Sequence, residues 1–175
     1  MNPLAGRRGK AYFLDCVGYL GIAAATVPFG LVARSAGWGQ EQAVVFAMSA
    51  VPPILATVLA ARRESGPAGA TWGKRRFALR VRTADGGPVP FGRALLRNTL
   101  KIAIPWQLGH AVAIGAAFGG YDDGDPATIA ATVLTYPVIG VMIAGVLVGQ
   151  GRTYYDRIAG STVSAVQPDR LPVSE

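Results

Sequence analysis

Three charged residues of this chain stand where chemistry would be asked of them. Asp15 follows the basic cluster Arg7-Arg8-Gly9-Lys10 and is the one carboxylate of the apolar run 11–33. A carboxylate in hydrocarbon is costly and is kept there by a partner, an aqueous path or a proton. Arg8 lies seven residues earlier, two helical turns away on one face and about 10 Å along the axis. Two roles are therefore open for Asp15: an interfacial carboxylate capped by Arg8, or an ion- or proton-binding group. Asp156 follows the last apolar run. If it folds back under the bundle, it forms a salt bridge to Arg8 or Arg80, or joins Asp15 in a cation site. His110, with Gln107 three residues before it on one helical face, is a fourth candidate. Its near-neutral pKa suits proton coupling, and a plain hydrogen bond within the bundle suits it equally.

Other chemistry finds no residues to carry it. The sequence has no Cys/His metal spacing, no phosphate-cradling glycine loop and no Ser-His-Asp arrangement in a supporting context. The reading is thus of a non-enzyme with no cofactor, and any metal is unknown. Asp122, Asp123 and Asp125 read as a solvated loop, at most a weak Ca²⁺ site. The single Cys16 says little about redox compartment.

The elements that must position these groups are membrane helices. Hydrophobic residues make up 51% of the 175 and charged ones 15%, a balance that belongs to the membrane class. Four stretches are long enough to cross: about 11–33, 41–61, 102–119 and 127–149. The third is the weakest, being short and holding Gln107 and His110. Asp15 interrupts the first, which reads as a retained helix and not as a cleaved signal peptide.

With four crossings, every lysine and arginine except Arg34 falls on one side. The positive-inside rule then places both termini and the central loop in the cytoplasm. The net charge of +7 is accordingly a topology signal, with anionic headgroups of the inner leaflet as its partner and no nucleic acid implied.

The central segment 71–101 divides in two. Phe77, Leu79 and Val81 alternate with Ala78, Arg80 and Arg82, the period of a half-buried strand. Asp85-Gly86-Gly87 is a turn, and Val89-Pro90 a short returning strand, giving a β-hairpin. Ahead of it, residues 64–70 read as a flexible connector. From Phe91 the pattern turns helical: Arg93, Arg97 and Lys101 share a face, flanked by Phe91, Ala94, Leu95 and Leu96. This is the pattern of an interfacial amphipathic helix. Its arginines either sit near phosphates and fix depth, or turn inward toward Asp15 or Asp156.

Three pieces in order now resemble a known family: Arg7-Arg8-x-x-Ala11-Tyr12-x-Leu14-Asp15; Gly73-Lys74-Arg75-x-Phe77-x-Leu79-Arg80-Val81, with Phe91-Gly92-Arg93 and Arg97-Asn98 after it; and Tyr155-Asp156-Arg157 with Ala159-Gly160. Together they are similar to the RDD family of small bacterial membrane proteins, over residues 5–166, leaving 167–175 as a tail. The resemblance places the family's arginine on Arg8, with Arg7 as the neighbour able to replace it, and its aspartates on Asp15 and Asp156. Tyr155 stands where the family often has His, which weakens a His–Asp relay there. The resemblance implies membrane transport, with cation/proton antiport proposed for some members, and names no substrate.

The sequence thus leads to an all-α membrane protein of the bacterial plasma membrane: a four-helix transmembrane bundle with a short cytoplasmic β-hairpin and an amphipathic interfacial helix. Transport of a small solute or cation, with or without proton coupling, is the expected function. A bundle this thin is expected to work as a homo-oligomer. The alternative is a scaffold that binds a protein partner or anionic lipid.

Overall fold

The computed structural model describes residues 2–148 and 152–166. Helix α1 (Ala5–Ser35) is followed by a 3-10 turn at Trp38–Gln40 and by α2 (Gln42–Ser49) and α3 (Val51–Ser65). Then come a short α4 (Trp72–Arg76), strand β1 (Leu79–Thr83), and α5 (Phe91–Asn98), which passes through a π-helical stretch (Thr99–Ala103) into α6 (Ile104–Ala117). Finally α7 (Pro126–Leu147) leads to α8 (Tyr154–Ile158) and β2 (Ser161–Ala165).

Three of these helical runs are long and apolar enough to cross a membrane: Ala5–Ser35, Gln42–Ser65 and Pro126–Leu147. Their side chains point outward, with Phe13, Phe29, Val133 and Tyr136 among the most exposed. Such an inverted surface is stable only against lipid. The expected third run is shorter than the others, α6 having 14 residues. Helices in lipid gain little from apolar burial and associate by close packing of small residues. Here Ala56 and Ala60 of α3 meet Tyr19 and Ile102. A Cβ on Gly115 would overlap Thr128, so that glycine sets how closely α6 approaches α7.

Prolines mark the irregularities. Pro52 and Pro53 open α3, where their missing N–H groups cost least, and the run breaks at Ala50 between α2 and α3. Asp125 caps α7, accepting from the Thr128 N–H at 2.8 Å and the Ala127 N–H at 3.3 Å, with Pro126 next in line. One member of the acidic loop is therefore occupied as a helix cap.

The expected β-hairpin is corrected. Strand β1 does form where the alternation placed it, but Val89 does not return to it. Its partner is β2, antiparallel, with Leu79 opposite Ala165, Val81 opposite Val163 and Thr83 opposite Ser161. The inward row of Leu79 and Val163 packs on Ala11 of α1, while Val89 joins Val81, Ala61 and Ala94. The pairing won because β2 brings apolar alternation of its own, whereas Val89 lies between two prolines and has few donors to offer. The sheet thereby ties the C-terminal motif to the central segment.

Candidate functional site

The ends of α1, α3, α4, α5 and α8 meet around a set of buried charges. Their signs alternate along a continuous path. Lys74 Nζ lies 3.9 Å from Asp15 and 2.8 Å from Glu64. Arg97 NH1 donates to both oxygens of Glu64 at 2.7 Å, and its Nε donates to Asp156 at 2.9 Å. Arg8 closes the path on the other Asp156 oxygen at 2.8 Å. All six side chains are at least 90% buried. Buried ions are tolerated only when paired and hydrogen-bonded, and the neutral donors complete the requirement. Asn98 Nδ2 reaches Glu64 at 2.8 Å, and the Thr71 hydroxyl and Gly73 N–H reach Asp15 at 2.6 and 2.8 Å.

Local structure explains how each group arrives. Thr153 caps α8 and forms a reciprocal capping box with Asp156, fixing that carboxylate at the helix start. Gly73 opens α4 directly against α1: a Cβ there would overlap the Ala11 carbonyl oxygen. Glycine alone allows the approach that lets its N–H reach Asp15. Replacing Gly73 with Ala should therefore lower stability by about 1–3 kcal/mol, read as a fall in thermal midpoint, and unchanged melting would refute the tight contact.

The structure separates residues that the sequence had grouped. Arg8 does not cap Asp15; it pairs with Asp156, because the face it shares with Asp15 is shared with α4 and α8 as well. Arg7 is placed differently from Arg8. It donates to the Phe77 and Ala78 carbonyls at 2.6–3.0 Å, holding the bend at Ala78, whose φ of 47° is unusual outside glycine. Arg80 makes no salt bridge to Asp156 among the described residues, and its Nε is buried without a partner. Arg97 turns inward while Arg93 is exposed. The amphipathic helix thus keeps its predicted place with its charged face divided. Asp15 and Asp156 sit at opposite parts of the path, each with its own cations, and no group of three or more metal-ligating side chains is found among the described residues.

Glu64 is the residue that sequence reasoning missed. Helix α3 runs past the expected end of its span and carries Glu64 into the centre, so the segment read as a flexible connector begins with the most connected carboxylate. The available signal was its isolation: apart from Asp85, it is the one acidic residue among the basic ones of the central segment. Lys74 was likewise present in the quoted motif without a role.

Burial alone would raise the Asp156 pKa, but Arg97 and Arg8 beside it hold it below the usual carboxylate range. A lowered folded value means that its stabilisation is complete above the unfolded value of about 3.9 and is lost as pH falls through the folded one. The thermal midpoint should accordingly change little between pH 7 and 5 through this group and drop below about pH 4. Asp156→Asn should flatten that acid limb.

His110 lies away from the charges. Its Nδ1 faces the Ser49 carbonyl at 3.1 Å and its Nε2 faces the Trp106 N–H at 2.8 Å. A carbonyl only accepts and an indole N–H only donates, so one neutral tautomer satisfies both.

Beside the charges a cleft of about 790 Å³ runs between α1, α6 and α7. Its walls are apolar, with Leu20, Trp106, Ile139 and Ile143 among them, and its basic end holds Arg8, Lys74, Arg97 and Lys101. Lys101 is 4% exposed and has no ion pair among the described residues. Its ammonium lies over the Tyr12 ring, 4.6 Å from the centroid.

The family model for the RDD family matches residues 2–160, which takes in α1 with its Arg8 and Asp15, the central segment, and α8 with Asp156. The chain belongs to the RDD family. No curated protein and no solved structure matches it. In this RDD protein Arg8 and Asp156 bond directly, while Asp15 joins them through Lys74, Glu64 and Arg97.

Proposed function

We propose that this RDD protein is a membrane carrier whose binding chamber is the cleft between α1, α6 and α7, and that its solute is negatively charged. The observation that carries this reading is Lys101, a buried cation at the cleft's end that has no carboxylate of its own among the described residues. Among the described residues four cations there face three carboxylates, Asp15, Glu64 and Asp156, so the local field favours an anion. A cation solute, the other expectation from the sequence, would have to displace arginine or lysine from each carboxylate.

In this proposal the π-helical stretch and α6 complete a fourth crossing, and the basic end lies in the cytoplasm. Proton coupling would fall to Lys101, whose buried amine meets the cleft, whereas both ring nitrogens of His110 are already engaged. A homo-oligomer remains part of the proposal.

The test is flux in proteoliposomes with panels of organic anions and cations. Anion flux that Lys101→Gln reduces at least tenfold supports the reading. Cation flux that depends on Asp15 and ignores Lys101 overturns it. The scaffold alternative has its own support in the exposed collar of Lys10, Arg62, Arg63, Arg75, Arg76 and Arg157, which suits anionic headgroups. Absence of any flux, with vesicle binding lost when the collar is neutralised, would favour it.

A further inference from the structure

We propose that the cleft takes a single-chain anionic amphiphile from the bilayer, its head against Lys101 and its chain along α6 and α7. The inference rests on the chamber reading above and specifies the solute class. Two features of the cleft argue for a tail as well as a charge. Beyond the basic end its lining is almost wholly apolar: Leu20, Ile102, Pro105, Ile139, Met142 and Ile143. A small hydrophilic anion would find only the Tyr19 hydroxyl and His110 as further polar groups there and would leave most of that surface idle. The cleft also opens toward lipid, because Leu20, Ile139 and Ile143 line it and yet are exposed on the outer surface. Helices α1 and α7 are joined near one end, where the Asn2 N–H donates to the Leu147 carbonyl at 3.2 Å. A ligand with one chain can therefore enter sideways without first crossing water.

Size limits the occupant. A volume of about 790 Å³ falls within the roughly 300–1,000 Å³ of small-ligand sites, which suits one chain and a compact head. The head meets Lys101 with Lys74, Arg97 and Arg8 behind it; the carboxylates Glu64, Asp15 and Asp156 are already bonded to those three cations. Tyr12, over whose ring Lys101 rests, and Tyr155 supply the remaining polar edges of the basic end. Sulfate, phosphate and carboxylate heads share the needed chemistry. The source we assign is a membrane amphiphile and not a free anion.

Trp106 lines the cleft and serves as the reporter once the exposed Trp38 and Trp72 are replaced by Phe. The protein in neutral phosphatidylcholine nanodiscs would be titrated with a brominated alkyl sulfate, with the brominated alcohol of equal chain length, and with methyl sulfate as competitor. Saturable quenching by the alkyl sulfate, at least tenfold weaker for the alcohol and for Lys101→Gln, is the expected result. Gly109→Leu is a second variant, because Gly109 lines the cleft and its Cβ direction is open. It should abolish the quenching while leaving the charges intact.

Equal quenching by sulfate and alcohol, or quenching indifferent to both variants, overturns the proposal. If methyl sulfate competes as well as the long-chain probe does, the amphiphile inference fails while the anion chamber stands. If neither anion acts on the cleft, both fall.

Discussion

Glu64→Ala is expected to cost about 3–5 kcal/mol of stability, the range for removing one partner from a buried ion pair. The size follows from what is left behind. Glu64 is fully buried and accepts from Lys74 at 2.8 Å, from Arg97 at 2.7 Å on each oxygen and from Asn98 at 2.8 Å. Its loss leaves Lys74 only the 3.9 Å contact to Asp15 and a 3.3 Å bond to Thr71, and leaves Arg97 with Asp156 as its one carboxylate. Glu64→Gln keeps the shape and one acceptor, so it should fall between wild type and Ala. Unfolding in detergent or nanodiscs checks this, with Glu41→Ala as the exposed control, expected within about 0.5 kcal/mol of wild type. A Glu64→Ala protein that unfolds like the control would mean that the charges do not hold the helix ends together.

Arg97→Lys should cost nearly as much, about 3 kcal/mol, although it preserves the charge. Arg97 uses its fork in two directions, Nε to Asp156 and NH1 to Glu64, with the Tyr155 ring 5.4 Å from its guanidinium carbon. A lysine ammonium is a single compact charge and can serve one of those carboxylates at a time. If Asp156 is the one left out, its charge keeps Arg8 alone, as Glu64 would keep Lys74 alone. Adding Asp156→Asn to Arg97→Lys removes that charge and should restore part of the loss, a non-additivity of about 0.5–3 kcal/mol for residues in one network. Strict additivity of the two substitutions would contradict the shared geometry.

Both expectations concern the groups that the signature leaves out. Arg8, Asp15 and Asp156 were legible because each stands against its background: a carboxylate in an apolar run, an arginine two turns before it, an aspartate just past the last run. The residue that joins them was not legible. Glu64 follows Arg62-Arg63, where a charge is ordinary, and nothing in the order of residues says that α3 continues four positions into the basic segment. The same holds for Arg97. Its spacing with Arg93 and Lys101 gave the helix and the shared face, yet depth in the fold decides which of the three meets solvent, which a carboxylate and which neither.

The sequence by itself determined the membrane class, three of the four expected apolar runs, the family, strand β1 and the helix after Phe91, because hydropathy and periodicity are local properties of the chain. Only the tertiary structure decided that β1 pairs with β2, that Arg8 bonds Asp156 and not Asp15, and that Lys101 faces a cleft with no ion pair among the described residues. Those outcomes depend on which segments meet across long stretches of chain. There the desolvation of each charge selects its partner, and spacing along the sequence carries no record of that choice.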